Sequence, residues 1–134
     1  MTETDETTLA PFLEAVLGRK AIHVVALDVR GLTSIADFFI IGSGRSARQV
    51  SAIADHVERE LRKRKIKPLS VEGAAEGQWA LIDYGHVVVH VFHESSRQFY
   101  DLDGLWSDAP RLPLPDQPSS RAATGRKSRP PAAE

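Results

Sequence analysis

Three histidines, a tryptophan, a tyrosine and an aspartate crowd the segment EGQWALIDYGHVVVHVFH, which begins at Glu76. Imidazole and carboxylate groups bind metal ions and transfer protons, and aromatic side chains anchor protein partners. The segment therefore has three candidate functions: a metal site, an acid–base site or a surface that binds another protein.

A metal site is the least favoured of the three. His86 and His90 are four residues apart on a predicted strand, which separates them by roughly 13 Å at about 3.3 Å per residue. Zinc requires ligands about 2 Å from one centre, and the chain has no cysteine to supply others. We therefore expect no metal and no cofactor. Acid–base catalysis by Asp83 and His90 stays open, although the sequence shows no nucleophile or pocket for it.

The same segment predicts a β-hairpin with two unlike faces. If Tyr84 and Gly85 form a two-residue turn, Asp83 pairs with His86 and Trp79 with His90. One face is then wholly apolar and predicts core: Ala80, Ile82, Val87, Val89 and Val91. The other face carries Trp79, Leu81, Asp83, His86, Val88 and His90. Such a mixed aromatic face is typical of a protein-binding surface, and the alternative is that a second helix covers it and Trp79 is core.

A second candidate site is the stretch FFIIGSGRS, where a predicted strand meets a predicted helix. Helix starts of this kind attract anions, but the Lys-Ser/Thr of a phosphate loop and a third glycine are missing. Nucleotidyltransferases hold magnesium with paired carboxylates, whereas the hairpin offers only Asp83, and Asp101 and Asp103 lie apart in FYDLDGLW. A tight turn capped by Ser46 explains the glycines. Nucleotide binding through Ser43 and the Asp101/Asp103 pair remains the alternative.

The elements that position these residues follow from hydrophobic periodicity. Residues 9–19 and 42–65 predict amphipathic helices, the second with a capping box formed by Ser46 and Gln49. Residues 21–29, 36–42 and 68–73 predict strands, and RQFYDLDGLW predicts a short helix or turn. The expected fold is α/β: a single small domain in which a mixed β-sheet packs with helices in two or three layers.

Length and composition support one ordinary domain. The 134 residues are 42% hydrophobic, with a net charge of −1. No secretory signal and no apolar stretch of about 18 residues is visible, so we expect a cytoplasmic protein without membrane contact. Residues 1–8 predict a disordered N-terminus, residues 9–112 the folded domain, and residues 113–134 a disordered tail rich in proline and arginine.

The predicted second helix ends in a cluster of cations, RELRKRKIK. Cations near a helix C-terminus are favoured by the helix dipole, which makes a solvated face the ordinary explanation. Contact with RNA phosphates is equally supported, because six positive charges exceed what capping requires. The candidate RNA contacts within the helix are Arg59, Arg62, Lys63 and Arg64.

Three motifs together resemble the ribosomal silencing factor family, RsfS/Iojap: ADFFIIGSGRSARQV, LIDYGHVVVHVF with its preceding glycine and tryptophan, and RQFYDLDGLW followed by DAP. The resemblance spans residues 9–110. It implies a fold related to nucleotidyltransferases but lacking the catalytic carboxylate pair and enzymatic activity. It also implies binding to large ribosomal subunit protein fourteen, which blocks joining of the small subunit and represses translation when nutrients are scarce.

The family motifs place the contacts with that ribosomal protein at particular positions of this chain. The positions are Trp79, Asp83, Tyr84, His90, Arg97, Phe99, Tyr100 and Trp106. The hairpin pattern and the resemblance agree on Trp79, Asp83 and His90. Self-association into a homodimer through the same aromatic patch is the remaining alternative.

Overall fold

The computed structural model describes residues 3–114, apart from the side chains of residues 3–6, Phe99 and Asp103. The helices in this range are α1 (Glu3–Leu17), α2 (Ala47–Lys63), α3 (Glu94–Tyr100) and α4 (Leu102–Leu105). The strands are β1 (Ile22–Asp28), β2 (Phe38–Gly44), β3 (Ser70–Glu72), β4 (Trp79–Asp83), β5 (Val87–His93) and β6 (Arg111–Leu112).

The strands form one mixed sheet in the order β3-β4-β5-β2-β1-β6. The central pair, β2 and β5, is parallel and the other pairs are antiparallel. One hydrophobic cluster joins one face of the sheet to α1 and α2. A second cluster on the opposite face packs against Leu102, Trp106 and Ala109. The predicted α/β fold with a mixed sheet is therefore confirmed.

Helix α1 begins earlier than its apolar pattern predicts. The apolar pattern predicts a face of Leu9, Phe12, Leu13, Val16 and Leu17, of which the first four are buried and Leu17 is partly buried. The helix, however, starts at Glu3 rather than at residue 9. The acidic residues of the segment ETDE suit the positive end of the helix dipole, and Pro11 lies inside the helix although proline favours the first turn. The expectation of disorder over residues 1–8 is thus corrected for residues 3–8.

Helix α2 follows its prediction closely. Ser46 is its N-cap and accepts a hydrogen bond from the backbone N–H of Gln49 at 3.1 Å, while the Gln49 side chain accepts from the N–H of Arg45 at 2.7 Å. These bonds satisfy donors that a helix start leaves without partners. The predicted apolar face is buried in full: Val50, Ile53, Ala54, Val57 and Leu61.

The hairpin turn lies one residue later than predicted. Tyr84 N–H donates to the carbonyl of Val87 at 2.9 Å, so the two residues between them are Gly85 and His86. Asp83 accordingly pairs with Val88, and Trp79 pairs with Phe92 rather than with His90. The predicted turn would use Tyr84 as a central residue, where hairpin turns demand a positive φ that only glycine takes readily, and here Gly85 has φ 91°.

The later turn shifts the pairing by two residues, so the predicted sorting of the strand side chains survives. The predicted core face, Ala80, Ile82, Val87, Val89 and Val91, lies in the cluster with α1 and α2. His86 is the exception, because it lies in the turn and its ring contacts Phe12 of α1 at 5.8 Å. His86 and His90 therefore do not share a face.

One further boundary, the end of β2, differs from expectation. Strand β2 continues through Gly42, Ser43 and Gly44, so these residues pair with β5 rather than form a loop. A Cβ on Gly44 would lie 3.0 Å from the backbone nitrogen and Cγ2 of Val50, which is closer than an ordinary contact and explains this glycine by close packing. The predicted tail, apart from residues 113 and 114, lies outside the described residues.

Candidate functional site

A row of five rings crosses the sheet face opposite α1 and α2. The ring centroids of Trp79 and Tyr100 are 4.8 Å apart, and those of Trp79 and His90 are 6.0 Å apart. Phe39 continues the row, 4.9 Å from His90 and 5.2 Å from Trp106. We call these five residues the aromatic ladder. It spans β4, β5 and β2 and ends on the segment that holds α3 and α4.

Register explains why one face collects these rings. Parallel pairing sets Ile41 of β2 beside His90 and places Phe39 beside Val88, while antiparallel pairing sets Trp79 beside Phe92. Side chains alternate along a strand, so Trp79, His90 and Phe39 all project to the same side of the sheet. Phe92 lies beneath Trp79, with the rings stacked at 4.8 Å.

His90 holds Trp79 in place. Trp79 Nε1–H donates to His90 Nδ1 at 3.1 Å, which requires a neutral imidazole carrying its proton on Nε2. Burial lowers the pKa of His90 to about 4, because the charged form would lose its water. At neutral pH the His90 imidazole is therefore an uncharged hydrogen-bond acceptor that orients the Trp79 indole. A group in this state does not act as a proton-transfer group or as a cation.

The ladder is only partly covered. Tyr100 is 49% exposed, Trp79, Leu81 and Trp106 are half-buried, and Leu105 on α4 is 71% exposed. The alternative in which a helix covers this face and Trp79 is core holds only in part, because α4 and the turn after it cover some of the face and Trp79 stays half-buried. Aromatic rings that are packed on one side and open on the other are typical of protein-binding anchors.

Two predicted contacts are buried in the folded chain, and their role as partner contacts stays a prediction. His90 is only 4% exposed and accepts a hydrogen bond from Trp79. Tyr84 is 7% exposed and lies on the other face of the sheet, with its ring 5.2 Å from Phe12 of α1. Tyr84 lies just beyond the end of β4, and its side chain packs into the core that α1 and α2 cover.

The other predicted contacts occupy separate places. Asp83 Oδ1 accepts from the N–H of Gly85 at 2.7 Å and so fixes the hairpin turn. Arg97 on α3 donates to Ser43 Oγ at 2.9 Å and to the carbonyl of His23, which ties α3 to β1 and β2. The side chain of Phe99 lies outside the described ones. Of the eight predicted contacts, the structure brings together Trp79, His90, Tyr100 and Trp106.

Sequence reasoning missed three members of this site: Phe39, Phe92 and Leu105. Phe39 and Phe92 lie in strands that are apolar on both faces, so alternation gives no signal for the face on which they lie. Leu105 follows an aspartate and a glycine in a short helix, and its exposure depends on how α4 packs.

A cleft of about 680 Å³ lies where β2 and β5 end, and it brings together Ser43 and Asp101 of the nucleotide-binding alternative. Both are already engaged: Ser43 with Arg97, and Asp101 as the N-cap of α4, where it accepts from Gly104 N–H at 3.1 Å. The cleft is lined by two acids, Glu94 and Asp101, and one cation, Arg97, so its charge does not favour a phosphate. Among the described residues, no group of three or more histidine, aspartate or glutamate side chains is arranged to hold a metal ion.

The cationic end of α2 is largely paired with acids. Arg59 lies 3.0 Å from Asp55, Lys63 lies 2.9 Å from Glu60, and Arg64 reaches Glu14 of α1 at 2.7 Å. Each of these exposed ion pairs contributes little to the stability of the fold, but together the carboxylates reduce the positive potential of the cluster. The RNA contact predicted for Arg59, Arg62, Lys63 and Arg64 remains a prediction.

Comparison with known proteins identifies the family. The model described as "Ribosomal silencing factor during starvation" matches residues 2–134. The chain belongs to the ribosomal silencing factor family. The RsfS/Iojap resemblance seen in the three motifs is therefore confirmed. Within residues 3–114 no helix is long and apolar enough to cross a bilayer.

Individual RsfS proteins are similar over most of their length. Ribosomal silencing factor RsfS of Halalkalibacterium halodurans is 45% identical over 102 residues, which cover 76% of this chain and 87% of that protein. The chloroplastic protein Iojap of Arabidopsis thaliana is 31% identical over 102 residues, 42% of its own length. A crystal structure of a Bacillus halodurans protein superposes with a TM-score of 0.72 at 39% identity, covering 81% of this chain and 99% of that one.

Proposed function

We propose that this protein is a cytoplasmic translation repressor that binds the large ribosomal subunit through its protein fourteen and blocks association with the small subunit. Membership of the ribosomal silencing factor family supports the ribosome as the target. The observation that carries the docking surface is the aromatic ladder, which keeps Trp79, Tyr100 and Trp106 partly open to solvent.

The ladder is suited to binding because its anchors are already ordered. Trp79 is stacked on Phe92 and hydrogen-bonded to His90, so the indole has little rotamer freedom left to lose. Ordering a flexible side chain at an interface costs about 0.5–1.5 kcal/mol, and a fixed anchor avoids most of that cost. Rigid aromatic anchors in a partly apolar setting dominate the energetics of many interfaces.

The proposed mechanism is steric and involves no chemical step. The ladder docks on a ribosomal protein, and the bound domain fills space that the small subunit needs. The absence of enzymatic activity is part of the proposal. It agrees with a buried, neutral His90 and with the engagement of Ser43 and Asp101 in contacts within the fold.

Sedimentation of purified large subunits with the protein at physiological salt tests this directly. The wild-type protein should travel with large subunits and reduce the yield of joined ribosomes. Trp79→Ala should weaken binding by about 2 kcal/mol, roughly 30-fold, because the indole is the central ring of the exposed part of the ladder. Tyr100→Ala should weaken it as well, and its exposed side chain makes this variant the safer one for folding.

Tyr84→Phe is the matched control, because Tyr84 lies on the opposite face of the sheet and its hydroxyl is buried without a hydrogen-bond partner among the described residues. Its subunit binding should equal that of the wild type. Full binding by folded Trp79→Ala and Tyr100→Ala proteins would remove the ladder from the interface. Light scattering of the free protein checks the competing proposal, in which the ladder joins two copies of this chain.

A further inference from the structure

A basic cleft of about 470 Å³ lies between the end of α1 and the start of α2. Arg19 and Lys20 follow α1, Arg48 lies in the first turn of α2, and all three are exposed and line the cleft. Arg45, also exposed, lies three residues before Arg48. Cations from two separate elements thus converge on one concave surface that the sequence pattern did not single out.

The charge of the basic cleft is not neutralised by neighbouring acids. No ion pair among residues 3–114 involves Arg19, Lys20 or Arg48, and the first turn of α2 contains no acidic residue. The other end of α2 differs, since Arg59, Lys63 and Arg64 there have carboxylate partners. The three cations of the cleft therefore have no carboxylate partner among the described residues, whereas three of the six at the end of α2 do.

The backbone around the cleft is held in a defined shape. Lys20 has φ 64°, a left-handed conformation that costs free energy for a residue other than glycine. Gln49 stabilises it by donating from Nε2 to the Lys20 carbonyl at 3.3 Å while its Oε1 accepts from the N–H of Arg45. Because Ser46 and Gln49 already bond to backbone N–H groups of this helix start, attraction for an anion comes from the three side chains.

The cleft lies at the end of the sheet where Trp79 begins β4, between the two helices that cover the face opposite the ladder. Residues 73–78 lead into Trp79 and pack on the start of α2: Ser51 Oγ donates to the carbonyl of Ala74, and a Cβ on Gly77 would meet the backbone of Ala47. Ala47 is the direct neighbour of Arg48. A large partner held by Trp79 can therefore also reach the cleft.

We infer that the basic cleft binds phosphate groups of ribosomal RNA beside the docking site of the ladder. Arginine and lysine side chains on a concave surface match a phosphate backbone in charge and geometry, and guanidinium groups bind phosphate oxygens in pairs. This inference rests on the proposed function for its choice of RNA over an acidic protein. It assigns the RNA contact to Arg19, Lys20 and Arg48 rather than to the end of α2.

The test measures binding to purified large ribosomal subunits at several salt concentrations. The double variant Arg19→Gln with Arg48→Gln removes two phosphate contacts, so the slope of log affinity against log salt should become shallower by about 1.5. Lys65→Gln with Lys67→Gln removes the same charge from exposed positions outside the cleft and should keep the wild-type slope. Urea unfolding confirms that both variants are folded.

The outcomes separate this inference from the proposed function. Unchanged slope in the cleft variant, or an equal change in both double variants, would overturn the inference while leaving docking through Trp79 intact. Failure of the wild-type protein to bind subunits would reject the proposed function, and filter binding to isolated large-subunit ribosomal RNA then tests the cleft alone. Competition by polyglutamate as strong as that by RNA would reassign the cleft to an acidic protein.

Discussion

The indole of Trp79 depends on a single buried acceptor, His90 Nδ1. The bond is available only while the imidazole is neutral, since a protonated ring would place a hydrogen on both nitrogens. Nε2 of His90 is buried without a hydrogen-bond partner among the described residues, so a protonated ring would gain no compensating acceptor. The orientation of Trp79, the strongest proposed anchor, therefore depends on the protonation state of His90.

That coupling predicts a stability that falls with acidity. The pKa of His90 is about 4 in the folded protein and about 6.5 in an unfolded chain, so above pH 6.5 the residue is neutral in both states. Between pH 6.5 and 4, His90 binds a proton in the unfolded chain but stays neutral in the folded protein. The free energy of unfolding should consequently fall as the pH is lowered through this window and level off below pH 4.

The size of the effect is measurable by urea unfolding. His90 should account for about 2 kcal/mol of stability lost between pH 7.5 and pH 5. His90→Phe fills the site with an aromatic ring that does not titrate, so this part of the pH dependence should disappear. Equal losses in the two proteins would show that His90 is not the group responsible.

At the scale of elements, the placement of α3 depends on Arg97. This seven-residue helix is too short to be stable alone, and its last residue, Tyr100, contacts Trp79. Arg97 ties the helix to the ends of β1 and β2 through the carbonyl of His23 and the buried hydroxyl of Ser43. The sequence predicts Arg97 as a partner contact, and these hydrogen bonds also give it a role in stabilising the fold.

Arg97→Ala should lower the free energy of unfolding by about 2 kcal/mol, the usual loss for charge-assisted hydrogen bonds to a buried group. Amide hydrogen exchange in α3 should become faster, because the helix loses its attachment to the sheet. Gln98→Ala is the matched control, since Gln98 is the exposed next residue on the same helix. Unchanged stability and exchange in Arg97→Ala would leave Arg97 as a surface contact.

In the molecule as a whole, the two faces of the sheet have different roles, one forming the core and the other the proposed binding surface. One face is buried by α1 and α2 and supplies most of the core, whereas the other is only partly covered and carries the ladder. The edge strand β6 completes the sheet by pairing Leu112 with Ala26, and Leu112 is buried in the core with α1 and α2. The folded unit therefore extends to the end of β6.

Two truncations test this boundary. A chain that ends at Leu114 should keep its melting temperature within about 2 °C, since residues 115–134 have the composition of a segment that adds little core. A chain that ends at Pro110 lacks β6 and should lose about 3 kcal/mol of stability, the usual cost of losing a buried leucine. Similar destabilisation by both cuts would show that the proline- and arginine-rich tail contributes to the fold.

Features that depend on local patterns follow from the sequence alone. The buried face of α2 and its Ser46 cap follow from spacings of three and four residues, which the helix geometry imposes wherever the helix lies. The sorting of the hairpin into a core face and an aromatic face follows from the period of two along a strand. This predicted sorting is correct although the turn was misplaced, because a shift of the pairing by two residues keeps each side chain on the same face.

Which aromatic and charged residues remain available to a partner depends on how the elements pack together. Tyr84 and Trp79 have similar sequence surroundings, yet Tyr84 packs on Phe12 while Trp79 stays half-open on the other face. Arg64 is paired with Glu14, fifty residues away, while Arg48 forms no ion pair within the described part of the chain. Availability depends on contacts between elements distant in the chain, and local periodicity carries no information about those contacts.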